Sequence, residues 1–236
     1  MSKFSDSLNS EFKEYSDALF EIRDFTKEIY HLLKVVQNKS KILETAMNFS
    51  RISWEAIDCI YYCMENGFLA ETEVLLRWHL EMSHKILYLS MRPEEFKKWK
   101  SGKEVRPSAI GKYFQDLKFP TWEKTYIDLS NVVHANSIFI DNHFAISKEN
   151  DFKGGQPIIL CKILINLIIL GHKNNNVCAK MLEPYMGSDF AIIASKYNSL
   201  EDKISGLNAK FQKLEDNYLK SVSDLAKKSG LEFDIN

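Results

Sequence analysis

Leu8, Phe12, Tyr15, Leu19, Ile22, Thr26, Ile29, Leu33 and Val36 follow one another in alternating steps of four and three. Only a helix gathers such a series on one side of the backbone, and the seven-residue period is that of helix-on-helix packing. Near the other end Ile193, Tyr197, Leu200, Ile204, Leu207, Phe211, Leu214 and Tyr218 repeat the spacing between charged residues. The chain therefore opens and closes on long amphipathic helices, with Thr26 as the one polar fault in the first seam. Three arrangements satisfy the pattern: both helices lie on the core, they pair antiparallel as a coiled-coil arm, or they pair between subunits. Aromatic residues at several seam positions disfavour a regular two-stranded zipper. If the ends dock a partner, a charge at Leu207 or Leu214 is expected to abolish that binding.

The interior reads the same way. Only 9 Gly and 5 Pro occur in 236 residues, too few for the many tight turns of an all-β fold. A hydrophobic fraction of 45% supports a packed core, not a disordered chain. The expectation is an all-α bundle of about seven or eight helices in a single domain. Its core spans about 41–186, and its terminal helices about 4–37 and 189–229.

Asn38-Lys39-Ser40 ends the first helix and caps the second, which runs to Asn66-Gly67. A third helix covers about Phe68 to Met91, and Arg92-Pro93-Glu94-Glu95 starts a fourth. A short helix around Pro107–Leu117 and another over Pro120–Asn136 follow. Residues 137–157 are the least helical, a loop or small hairpin, before helix resumes at Ile158 with a bend expected around Gly171–Asn176.

A formal charge of −1 gives no global attraction to nucleic acid or membrane. The polar N-terminus reads as no signal peptide, and the apolar run Ile158–Leu170, interrupted by Lys162 and Asn166, reads as a buried helix too short for a bilayer. The four cysteines make no disulfide or zinc pattern, which points to free thiols in the cytoplasm, with no metal and no cofactor.

Three polar stripes interrupt the apolar pattern. The third helix carries Glu73, Arg77, Glu81 and His84 within an arc of about 80°. The second carries Glu55, Asp58 and Tyr62, and the Pro120 helix carries Tyr126, Ser130 and His134. They are either solvated faces braced by Glu73–Arg77 and Arg77–Glu81 pairs or the walls of one pocket. In a pocket the guanidinium would orient phosphate and a histidine would exchange protons near neutral pH. Lys97, Lys98, Lys100, Lys103 and Arg106, with Trp99 among them, are either a solvated basic connector or a surface for phosphate contact and base stacking.

Leu75-Leu76-Arg77-x-x-x-Glu81, followed by Tyr126-x-x-Leu129-Ser130-x-x-x-His134, resembles an uncharacterised bacterial helical family often found near phage-defence genes. The resemblance covers roughly residues 45–180. It implies a core in which Arg77, Glu81 and His134 meet, and carries no established activity. Arg77, separated from His84 by six residues, is similar to the Arg-x(4–6)-His motif of HEPN ribonucleases. That family uses the pair, usually across a dimer, to make the ribose 2′-hydroxyl attack RNA. Here Trp78 stands where a polar residue commonly follows the arginine, and the motif falls early in the chain. Two functions are therefore carried forward. One is an interaction or sensor-like accessory protein that docks another protein or itself through its terminal helices. The other is a metal-independent ribonuclease using Arg77, Glu81, His84 and His134, with RNA as substrate.

Overall fold

The computed structural model describes residues 3–116 and 156–228, and among them every regular element is helical. In chain order these are α1 (Lys3–Asn9), α2 (Lys13–Val36), α3 (Lys41–Glu65), α4 (Leu69–Ser90), α5 (Pro93–Lys100), α6 (Pro107–Asp116), α7 (Gln156–Met186) and α8 (Phe190–Lys228). The Pro120–Asn136 helix and the loop or hairpin over 137–157 fall outside the described residues, apart from the start of α7.

Local chemistry sets the boundaries. The Leu43 amide donates to Ser40 Oγ at 3.2 Å, capping α3 where the sequence placed the cap. At the far end Gly67 adopts φ +78°, its amide reaches the Met64 carbonyl, and the Phe68 amide reaches the Cys63 carbonyl. This Schellman closure reverses the chain into α4. One seam residue marks an unforeseen break. The Phe12 amide turns back to the Ser7 carbonyl at 2.9 Å, so the first amphipathic stretch divides into α1 and α2.

α7 lies at the centre, against α2, α3, α4 and α8. Leu160, Leu164, Leu167, Ile168 and Leu182 are all fully buried on it. Its most apolar eighteen-residue window has a mean hydropathy of 1.3 and is long enough to cross a membrane, but 67% of that window is buried inside the bundle. Helix continues unbroken through Gly171–Asn176. Gly171 is there for space: a Cβ on it would stand 2.6 Å from Ile22 Cγ2. The α2–α7 crossing therefore depends on a missing side chain.

The terminal seams face inward onto this helix. On α2, Tyr15, Leu19, Ile22, Thr26, Ile29 and Leu33 are buried, and Thr26 satisfies its hydroxyl on the Ile22 carbonyl at 2.8 Å. On α8, Ile193, Leu200, Ile204, Leu207 and Phe211 are buried, so a charge at Leu207 would disrupt packing before it tested docking. Along their shared edge the two helices run antiparallel, linked by Lys210–Glu14, Lys203–Glu21 and Lys196–Glu28. Each step of seven up α2 is a step of seven down α8. Such exposed pairs contribute about 0.2–1 kcal/mol each, so they set register more than stability.

The packing at Gly171 predicts that Gly171→Ala destabilises the fold by about 1–3 kcal/mol through overpacking against a β-branched neighbour. Gly206, on the open face of α8, has nothing within 4 Å of a built Cβ. Gly206→Ala should instead stabilise by about 0.5–1 kcal/mol through helix propensity. Urea unfolding of the two variants checks both signs.

Candidate functional site

Of the α4 stripe, Arg77 and Glu81 meet as the spacing requires, with Arg77 Nε donating to Glu81 Oε1 at 2.9 Å. The arginine side chain is 12% exposed and the glutamate 42%, so the pair sits at the edge of the packed interior. Glu73 faces α7, where Lys162 is the cation acting on it. Burial outweighs that charge and pushes its carboxyl up to about 7. His84 donates Nδ1–H to the Leu80 carbonyl at 2.8 Å, which leaves Nε2 as the basic nitrogen. Burial, with a contribution from Lys173, brings its imidazole down to about 4. It is neutral at pH 7, able to accept a proton and poorly suited to donate one.

The α3 stripe turns elsewhere. Arg23 of α2 donates to Asp58 at 3.1 Å, Glu55 lies 3.9 Å from Arg51, and Tyr62 is 63% exposed. These residues belong to the α2 edge and the solvent face. Tyr126, Ser130 and His134 lie outside the described residues.

Two lysines of the basic segment are neutralised from within α5. Lys97 and Lys98 donate to Glu94 and Glu95 at 3.0 and 2.7 Å, the acids that the Pro93 start places one turn earlier. Lys100 covers the rings of Phe96 and Trp99 at 5.8 and 5.4 Å. Trp99 itself packs on the core, which commits the ring that base stacking would need. Lys103 and Arg106 are exposed on the connector to α6, either side of the buried Val105.

The more deeply buried polar groups are ones the stripe analysis passed over. His79 is fully buried on α4, with Nε2 3.4 Å from Ser53 Oγ of α3. One turn on, Ser83 donates to the His79 carbonyl at 2.6 Å and accepts from Asn174 of α7 at 2.8 Å. A second group joins α7 to α8. His172 Nε2 bonds Glu201, Tyr197 donates to the same carboxylate oxygen at 3.1 Å, and the imidazole stacks on the Tyr197 ring at 4.1 Å. The sequence does carry a signal for His79. Thr72, His79 and Ser83 stand at helical spacing with Leu76 among them, polar residues on the apolar face of α4. Hidden in a core stripe, they resemble no motif.

Cys161 and Cys178 are buried and Cys59 is exposed, all as free thiols. Among the described residues no three His, Cys, Asp or Glu side chains gather as a metal site. No family model, curated protein or solved structure matches the chain. The chemistry is therefore read from its own contacts.

His79, fully buried, and His84, partly buried, make a pH prediction. His79 and His84 fall from an ordinary 6.5 to about 4 in the fold, both through burial. The unfolded chain binds their protons first, so their stabilisation is complete above pH 6.5 and is lost as pH falls towards 4. That is about 2 kcal/mol for each by pH 5. Glu73 works in the opposite direction, because its raised carboxyl holds a proton in the fold between 4.5 and 7, and it offsets about one of them. The urea midpoint should fall between pH 7 and pH 5, and Glu73→Gln should steepen that fall. A midpoint that rises on acidification contradicts these burials.

Proposed function

We propose that this chain is an interaction component of the bacterial cytoplasm, docking another protein or a second copy of itself through the outer faces of α2 and α8. The observation that carries this reading is an open groove along the terminal helices, lined by Glu21 and Asp24 on one side and Ile192, Ser195 and Ser199 on the other. Ile192 is 69% exposed within it, an apolar residue rimmed by acids, hydroxyls and Lys196, a composition that suits a protein contact. An accessory or sensor-like part in phage defence follows from the resemblance over residues 45–180, and adds a cellular setting to the same reading.

Ile192→Asp tests the groove, because an exposed position should alter stability by no more than about 0.5 kcal/mol. In-cell crosslinking of the wild type should give a discrete complex that this variant loses while folding normally. A chain that crosslinks to nothing, or whose complex survives Ile192→Asp, contradicts the reading.

One observation favours the enzyme alternative. Arg77 and His84 share a face of α4 two turns apart, with the His84 tautomer fixed by the Leu80 carbonyl so that Nε2 is the base. In such a ribonuclease Arg77 would bind phosphate and His84 or His134 would take the 2′-hydroxyl proton. The reading requires chelator-resistant cleavage of cellular RNA that disappears in folded Arg77→Ala and His134→Ala variants. Intact RNA after incubation with wild type sets it aside.

A further inference from the structure

His172 is an unusual place for a histidine. Its side chain is 3% exposed, in the middle of the helix that every long helix packs upon. One ring nitrogen is well served: Nε2 lies against Glu201 Oε2, an oxygen that also accepts the Tyr197 hydroxyl. The other is not. Nδ1 is buried without a hydrogen-bond partner among the described residues. The ring plane is held too, stacked on Tyr197 at an interplanar angle of 11°. Glu201 and Tyr197 both come from α8, one turn apart, so the three side chains fasten α8 to α7.

This geometry suits a single protonation state. A neutral imidazole donates Nε2–H to the carboxylate and turns a bare lone pair towards the interior, a modest cost. Protonation places a second N–H at Nδ1, where it meets no acceptor, and an unpaired buried donor costs more than an unused lone pair. We infer that His172, Glu201 and Tyr197 form an acid-sensitive clasp, closed while His172 is neutral and released by protonation, which lets α8 lift from α7. Among the described residues the charges acting on His172 are Glu201 of α8, which favours the proton, and Lys173 of its own helix, which opposes it; His84 of α4 lies under the same Lys173. Burial decides the balance and holds the imidazole below its ordinary range. Besides the clasp, α8 is held by its buried seam, the exposed lysine–glutamate ladder to α2, the Tyr15 hydroxyl donating to the Leu207 carbonyl at 3.2 Å, and Lys162 of α7 facing Glu215. Release would uncover Ile193, Leu200, Ile204 and Leu207, the apolar face that now lies inward. The clasp does not rest on the docking groove, since none of His172, Tyr197 and Glu201 lines it.

The sign follows from the linkage. The folded imidazole binds its proton less readily than the unfolded one. The clasp is therefore fully stabilising above about pH 6.5 and weakens as pH falls through and below that value. Hydrogen exchange at pH 7.5 and pH 5.0, corrected for intrinsic rates, reads it segment by segment. In the wild type, protection of the α8 amides around Leu200–Leu207 should fall by at least tenfold more than that of α3. His172→Phe keeps an aromatic ring on Tyr197 and removes the titration, so this excess loss should vanish. Glu201→Gln keeps an acceptor for Nε2–H and removes the counter-charge, so the excess loss should grow. Equal losses in α3 and α8 would overturn the proposal, since they would report the global effect of His79 and His84. So would an α8 loss unchanged in His172→Phe, or one that shrinks in Glu201→Gln.

Discussion

Burial of α7 is the constraint on which the rest of the structure depends. Its apolar side chains are covered from four directions, by α2, α3, α4 and α8, and each fully buried leucine or isoleucine contributes about 1.5–3 kcal/mol. A helix this apolar has two stable settings, a membrane or the centre of a bundle, and here its neighbours supply the second. The terminal helices satisfy the demand with their heptad seams. Gly171 lets α2 approach closely enough for the Asn175 side chain to donate to the Ile22 carbonyl at 3.3 Å. Close approach and polar satisfaction are thus two consequences of the same crossing.

The interior is not wholly apolar, and its polar members specify how the helices align. Ser53, His79, Ser83 and Asn174 link α3, α4 and α7 through short side chains that fit only at one register. Each is worth little in net stability, yet each costs more if a slipped register leaves it unpaired. The same logic separates the Arg77–Glu81 pair from an obvious catalytic centre. A carboxylate at 2.9 Å is what a largely buried guanidinium needs in order to be there at all. His84, His79 and His172 are all held neutral by burial. Their shared consequence is sensitivity to acid.

Much of the fold was legible because it rests on period and punctuation. Most seam residues of both ends are residues the bundle buries, though Leu214 is exposed; Ser40 and Gly67 act where their chemistry places them, and the Pro93 start is real. What the sequence left open shares a cause. A helical wheel fixes which residues share a face and is silent on what that face meets. Asp58 belongs to Arg23 across a helix boundary, Glu73 answers to Lys162 on α7, and Lys97 and Lys98 are spent on Glu94 and Glu95. His172 and Glu201 were invisible for the same reason, since their meeting depends on how α8 lies on α7. The break at Phe12 went unseen because an amphipathic seam runs through it without losing step.

The account stands most directly on the antiparallel register of α2 and α8 across α7. Spin labels at positions 14 and 210, 28 and 196, and 14 and 196, with Cys59 and Cys63 replaced by alanine, measure it by pulsed electron resonance. The ladder predicts short distances for the first two pairs and a clearly longer one for the third, whose positions are displaced by roughly 20 Å along the helix axis, the rise of fourteen helical residues. Equal distances for all three pairs, or a shorter one for 14 and 196, would contradict the register and with it the arrangement of the terminal helices on the core.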